Sequence, residues 1–157
     1  MKIRLLTVGD TSDRRMREAI DGYVKRAGHY IPFEMTVISD VKVSRSAGEA
    51  KQKEAEGEKI LSRIQNGDRV ILLDERGKEM SSREFATSLE RLMATMQRDV
   101  IFVIGGPYGF SPAVYSRADS MLSLTRMTMT HEMVRLLFVE QVYRAMTIIR
   151  GEPYHHD

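Results

Sequence analysis

Two stretches and a tail in the last third of the chain hold the residue types that can do chemistry. The first is Ile104-Gly105-Gly106-Pro107-Tyr108-Gly109, which closes an apolar run from Val100 to Ile104. Glycines there let backbone N–H groups approach a ligand with no side chain in the way. Ligands of open α/β sheets sit beyond the carboxyl ends of the strands. The spacing fails the dinucleotide fingerprint, and no Gly-Lys-Ser/Thr ending makes a phosphate-binding P-loop. A small ligand with its own donors and acceptors suits this loop, and so does a plain turn with no ligand. The second stretch is Leu124-Thr125-Arg126-Met127-Thr128-Met129-Thr130, dense in hydroxyls and thioethers. It can wrap an adenine and a ribose. The plainer alternative is a strand leading into a helix capped by Thr130, with methionines filling the core. The tail is Pro153-Tyr154-His155-His156. Its histidines titrate near neutral pH and can accept or donate protons, and Tyr154 can stack on a base; a frayed, inert terminus is the alternative. No metal is expected, because no Asp, Glu or His at ligand spacing accompanies the histidines; the nearest, His131, starts a helix.

Alternating strand-like and helix-like segments must position these residues. Ile3–Val8 reads as a strand before a Gly-Asp turn. Residues 12–29 carry Met16, Ile20, Tyr23, Val24 and Ala27 on one helical stripe. Phe33–Ile38 is a second strand. Ser46-Ala-Gly-Glu49 matches a capping box, opening a helix to about Gln65 whose charged first half should be solvated. Val70–Leu73 is a continuous apolar strand ending at Asp74, with a turn at Gly77. Ser81-Ser82-Arg83-Glu84 is another capping box, ahead of Phe85, Leu89, Leu92, Met93 and Met96. Val100–Ile104 is a strand, residues 112–119 a short helix, Met121–Leu124 a short strand and His131–Ile149 the last helix, followed by an irregular tail to Asp157. Continuous apolar strands between helices argue for a mostly parallel sheet with helices on both faces, an α/β fold.

The 157 residues suit one domain, residues 1–157, with no linker or repeat. Hydrophobic residues at 42% and charged residues at 29% mark a globular chain. There is no cysteine, which removes thiol nucleophiles, cysteine zinc sites and disulfides together. No apolar stretch reaches the roughly 18 residues of a membrane span, and the N-terminus lacks a signal-peptide pattern, so a cytoplasmic protein is expected. The net charge of +2 says little about nucleic acid. Every base after Lys78 is an arginine, the residue suited to planar contacts with phosphate or carboxylate.

The last helix is apolar around well over half its circumference, from Met133 to Ile149. A monomer's surface helix needs a stripe of only about 100°. Either a second copy of the chain covers the extra face, giving a homodimer, or the helix is central to one core.

These pieces, in this order, resemble the RlmH family of bacterial large-subunit rRNA methyltransferases, within the knotted SPOUT superfamily. The matching stretches are Phe102-Val-Ile-Gly-Gly-Pro-Tyr-Gly109, Leu122-Ser-Leu-Thr-Arg-Met-Thr-Met-Thr-His131, and Arg135 through Glu140-Gln-Val-Tyr-Arg-Ala145 to Pro153-Tyr-His155. Tyr23-Val-Lys-Arg26 and Leu73-Asp74-x-x-Gly77 also match, so the likeness covers essentially the whole chain. The resemblance implies an S-adenosylmethionine-dependent enzyme that methylates N3 of a pseudouridine in 23S rRNA of assembled ribosomes. It implies a homodimer and a trefoil knot in the C-terminal half, which general folding rules would not suggest. It assigns the cofactor to Leu73, Gly105, Gly106 and the segment Thr125, Arg126, Met127, Thr128, Met129 and Thr130. Tyr154, His155 and His156 then fall on the RNA side, and a histidine poised near neutral, His155 ahead of His156, is the expected acceptor of the N3 proton. One departure stands out: the family usually carries Arg or Lys where this chain has His156. A non-catalytic ribosome-binding factor of the same fold, or the same chemistry on tRNA, are the rival readings.

Overall fold

The protein is described here by a computed structural model covering residues 1–156; Asp157, the end of the expected tail, lies outside the described residues. The strands are β1 (Ile3–Val8), β2 (Phe33–Ile38), β3 (Arg69–Glu79), β4 (Val100–Ile104) and β5 (Ser120–Ser123). They form one sheet in the order β2-β1-β4-β3-β5, with every pair parallel. Parallel neighbours need crossovers, so all carboxyl ends fall along one edge of the sheet, where the Gly105–Gly106 loop emerges.

The crossovers are α1 (Arg14–Gly28), α2 (Gly48–Leu61), α3 (Ser82–Thr95) and α4 (Pro112–Arg117), and the last helix is α5 (His131–Arg150). Alternation along the strands divides the core. Ile3, Leu5 and Phe102 pack with Ile20 of α1, Leu89 of α3 and Phe138 of α5. Leu6, Ile101 and Val103 face the other way, onto Ile60 of α2 and Val114 of α4. The α/β sheet covered on both faces is as expected. Helix α5 lies between α1 and α3 and buries Phe138, Val139, Val142, Ala145 and Met146. Much of its apolar circumference is therefore used within one chain.

Two local expectations are corrected. Ser46 caps no helix: it sits in a 3-10 turn, Arg45–Ala47, and α2 begins at Gly48 behind Ala47, with no side-chain cap. Gly48, at φ +83°, redirects the chain between Ser46 and the helix body. The Ser81 box, by contrast, forms: Ser81 Oγ accepts from Glu84 N at 3.1 Å, and Glu84 Oε2 accepts from Ser81 N at 2.7 Å.

The second correction matters more for the site. Strand β3 does not end at Leu73. Leu73 and Lys78 both pair with Leu122 of β5, so residues 74–77 bulge out of the ladder before pairing resumes. Gly77 closes that bulge against β5. A Cβ there would lie 2.7 Å from the backbone N and C of Leu122. Backbone cannot yield as a side chain can, so Gly77→Ala should lower stability by about 1–3 kcal/mol in denaturant unfolding. Gly22, inside α1 with no neighbour within 4 Å of its added Cβ, should respond oppositely, with Gly22→Ala stabilising by about 0.5–1 kcal/mol. Shifts of the same sign would contradict this account of Gly77.

Candidate active site

The carboxyl ends of β3, β4 and β5, the segment after β5 and the start of α5 enclose a cavity of about 590 Å³, a size that takes a drug-sized ligand. Of the residues expected to hold a cofactor, Leu73, Gly105, Gly106, Thr125, Met127, Thr128 and Met129 line it. Arg126 and Thr130 do not. Arg126, with its side chain 83% exposed, pairs with Glu79 at 2.9 Å. Thr130 caps α5, accepting from Met133 N at 3.3 Å, as the plainer reading of that residue held.

The two loop glycines have structural reasons to be glycine. A Cβ on Gly105 would lie 2.9 Å from the ring of Phe110, and one on Gly106 would lie 2.5 Å from Glu56 Oε2. Glu56 belongs to the stretch of α2 expected to be solvated, yet it is 3% exposed. Gln52 fixes it, donating to Glu56 Oε1 and to Val41 O, each at 2.9 Å. The loop thus presses its backbone on a buried carboxylate of α2. In the following segment Met127 N donates to Thr125 Oγ1 at 3.1 Å and Ser123 Oγ donates to Thr125 O at 3.1 Å. Met127 itself stands 79% exposed at the rim.

The start of α5, whose His131 and Val134 also line the cavity, is clamped to the loop after β1. Glu132 Oε1 accepts from Ser12 N at 2.8 Å, Ser12 Oγ at 2.9 Å and Asp13 N at 3.3 Å. These bonds, the Ser12 hydroxyl first, hold its carboxyl below the usual range. One turn on, Arg135 is 1% exposed. Its Nη1 donates to Thr11 Oγ1 at 2.9 Å and its Nη2 to Val8 O at 2.8 Å. Burial pulls its pKa down, opposed by the charges of Glu132, Asp10 and Asp40. On the opposite wall the β3 bulge contributes Asp74, Glu75 and Arg76, with Tyr115 of α4 beside them. None of these was marked by the sequence, since Asp74 and Tyr115 are far apart along it.

None of Tyr154, His155 and His156 lines the cavity. Their chain folds back along α5 at the level of Glu140, nine residues beyond His131, or about 13 Å along the helix. The Tyr154 hydroxyl donates to Glu140 Oε1 at 3.0 Å, and its ring packs against Tyr143 with centroids 4.7 Å apart and planes tilted by 40°, with Arg144 over it at 4.8 Å. Burial, then hydrogen bonds with Tyr23 and Glu140, push the Tyr154 phenol well above its ordinary pKa, so it is a donor and not a base. Arg144 also meets Glu140 Oε1 at 2.7 Å and His155 Nδ1 at 3.0 Å. A guanidinium only donates, so Nδ1 accepts here. The tail is tied to the turn after α1 as well: Tyr30 donates to Glu152 at 2.6 Å, and that carboxylate pushes its phenol up to about 12. His156 is exposed. Tyr154 and His155 are ordered on α5, whereas the inert-terminus alternative called for a frayed end.

A family model described as "Predicted SPOUT methyltransferase" matches residues 1–155. The protein named "Ribosomal RNA large subunit methyltransferase H" from Parabacteroides distasonis is 54% identical over 157 residues, covering 100% of both chains. The protein of the same name from Porphyromonas gingivalis is 52% identical over the same span, again covering 100% of both. Among solved structures, a probable methyltransferase from Bordetella pertussis aligns with a TM-score of 0.56 at 10% identity, over 92% of this chain and 94% of that one. A probable methylase family protein from Haemophilus influenzae aligns with a TM-score of 0.52 at 13% identity, over 95% of this chain and 66% of that one. These two likenesses concern the fold alone; the family model and the full-length relatives decide membership. The chain belongs to the SPOUT methyltransferase family.

Proposed function

We propose that this protein methylates N3 of a pseudouridine in 23S rRNA of assembled ribosomes, using S-adenosylmethionine. The observation that carries the reading is the full-length identity of about half to proteins named ribosomal RNA large subunit methyltransferase H, on a chain whose strand ends enclose a cofactor-sized cavity. The residues present fit that cofactor. Leu73, Leu122 and Leu124 offer an apolar slot for an adenine, and acidic side chains on the wall suit a positively charged ligand. When bound, the cofactor supplies an already activated methyl group, so the protein's task is mainly positioning.

The tail and the cavity are apart within one chain, and we take them to meet between two copies. Met127 and Met133, 79% and 40% exposed near the cavity mouth, give a second copy an apolar surface to cover. In that homodimer the tail of one copy reaches the cavity of the other. Tyr154 stacks on the flipped target nucleotide. His155 Nδ1 takes the N3 proton, becoming available when Arg144 turns from the imidazole to a phosphate of the RNA. His156, exposed where relatives of the RlmH type carry a fixed cation, adds a contact whose charge depends on pH. The Thr125–Thr130 segment would be the crossing loop of the superfamily's trefoil knot, and the cytoplasm is where the ribosomal substrate would be met.

Three outcomes are expected. Ribosomes from a strain lacking the gene should gain one methyl group on a large-subunit rRNA pseudouridine when purified protein and S-adenosylmethionine are added. Mass mapping that finds the methyl on tRNA, or none at all, removes the assignment. His155→Ala should lower single-turnover methylation by about a hundredfold; turnover close to wild type would shift the proton to another group. A Tyr154→Ala protein and a Gly105→Val protein, each inactive alone, should regain activity when co-expressed as mixed dimers. Failure to do so, with mixed dimers verified by mass, would place the complete site within one chain.

A further inference from the structure

The chemistry proposed above makes no specific use of the β3 bulge. Yet the bulge places Asp74, Glu75 and Arg76 on the cavity wall, where Glu49 is the remaining carboxylate and Arg76 is the one arginine among the described lining residues. Arg76 is no loose surface cation. Its guanidinium lies over the Tyr115 ring at 5.0 Å, its Nε donates to Asp74 Oδ1 at 3.2 Å, and its Nη2 donates to the Tyr115 hydroxyl. Tyr115 in turn donates to Asp74 Oδ2 at 2.6 Å. Burial acts to raise the Asp74 carboxyl, but the bonds from Arg76 and Tyr115 outweigh it and hold the group below its ordinary range. Asp74 has a side chain only 9% exposed, while that of Arg76 is 65% exposed. The half-buried pair of Asp74 and Tyr115 therefore orients a guanidinium whose Nη1, bonded to none of the described residues, is left for a further acceptor.

The charge of the wall limits what that acceptor can be. Three carboxylates and one guanidinium line the cavity, a field that repels an RNA backbone and attracts a ligand with net positive charge. S-adenosylmethionine has such a charge, with a sulfonium, an ammonium and one carboxylate. An arginine edge held in a fixed plane is the group suited to a carboxylate. We infer that Arg76, oriented by Asp74 and Tyr115, binds the α-carboxylate at the amino-acid end of S-adenosylmethionine, with the neighbouring acids drawing its ammonium. This rests on the reading of the cavity as the cofactor site and adds which end of the ligand lies against β3 and α4.

Calorimetry on the full-length protein tests it with two ligands that differ in one group, S-adenosylmethionine and its decarboxylated form. Wild type should prefer the carboxylate-bearing ligand. Arg76→Ala should weaken S-adenosylmethionine binding by about tenfold and leave the decarboxylated ligand unchanged. Tyr115→Phe, which keeps the ring but removes the orienting hydroxyl, should weaken the first ligand by a smaller factor. An equal loss of both ligands in Arg76→Ala would make Arg76 a support of the loop and overturn the inference. Unchanged affinity for both, or no preference in wild type, would overturn it too. Wild-type protein that binds neither ligand would instead remove the cofactor reading, a result separate from any effect of the variants.

Discussion

The placement of the site depends on a buried guanidinium that pairs with no carboxylate among the described residues. Arg135 reaches from the second turn of α5 to Val8 O at the end of β1 and Thr11 Oγ1 in the loop after it, and among the described residues its Nε, like the Thr7 hydroxyl, has no hydrogen-bond partner. Burying a charge this way is costly. The bonds it makes join the last helix to the first strand and leave little freedom for the start of α5. Glu132 adds a bond network to the same loop from the outside. The residues just before and within that first turn, Met129 to Val134, can then form a fixed cavity wall although the segment leading to them has no regular structure.

Helix α5 organises both the cavity and the tail from one rigid body. Its amino end closes the cavity; Glu140 and Arg144, farther along, hold the tail. A helix of this length keeps the two ends at a set separation. The tail is prearranged by aromatic contacts and hydrogen bonds rather than by a core. Tyr143 bridges Tyr154 to Tyr23 of α1 and to Tyr30 just beyond it, so α1 and the turn after it carry part of the tail's position although they lie far from it in sequence.

Much of this was legible in the residues. Apolar strands, the Ser81 box and the stripe on α1 follow from local periodicity and capping, and a mostly parallel sheet follows from their alternation. The glycine loop and the Thr125–Thr130 stretch were marked as candidate ligand wrappers, and most of them line one cavity. What escaped notice has a common cause. The second half of β3, Glu75-Arg-Gly-Lys-Glu79, has no apolar alternation because its pairing with β5 resumes only after a bulge. Glu56 sat in a charged run, and its burial depends on the space left by Gly106, fifty residues on. The link of Asp74 and Arg76 to Tyr115 joins two elements on different crossovers. Ser46 had the right spacing for a cap, but Gly48 bends the backbone between it and the helix it seemed to open. Periodicity reports which face of an element is buried; it carries no information on which distant side chain fills the space opposite a glycine.

The position of α5 at the chain's end has a consequence for how the protein comes to exist. Both α1 and α3 pack against α5, and Phe138, Val142 and Met146 fill the centre of that face. Until residues 131–150 have left the ribosome, the sheet has one face without its central cover, and α1 and α3 flank a gap. The core therefore closes only when α5 docks and not progressively as the strands form, and contacts between the first and last helices are among the slowest kind to form. Until it docks, the folding chain exposes that apolar face, which gives a holding factor a surface to bind.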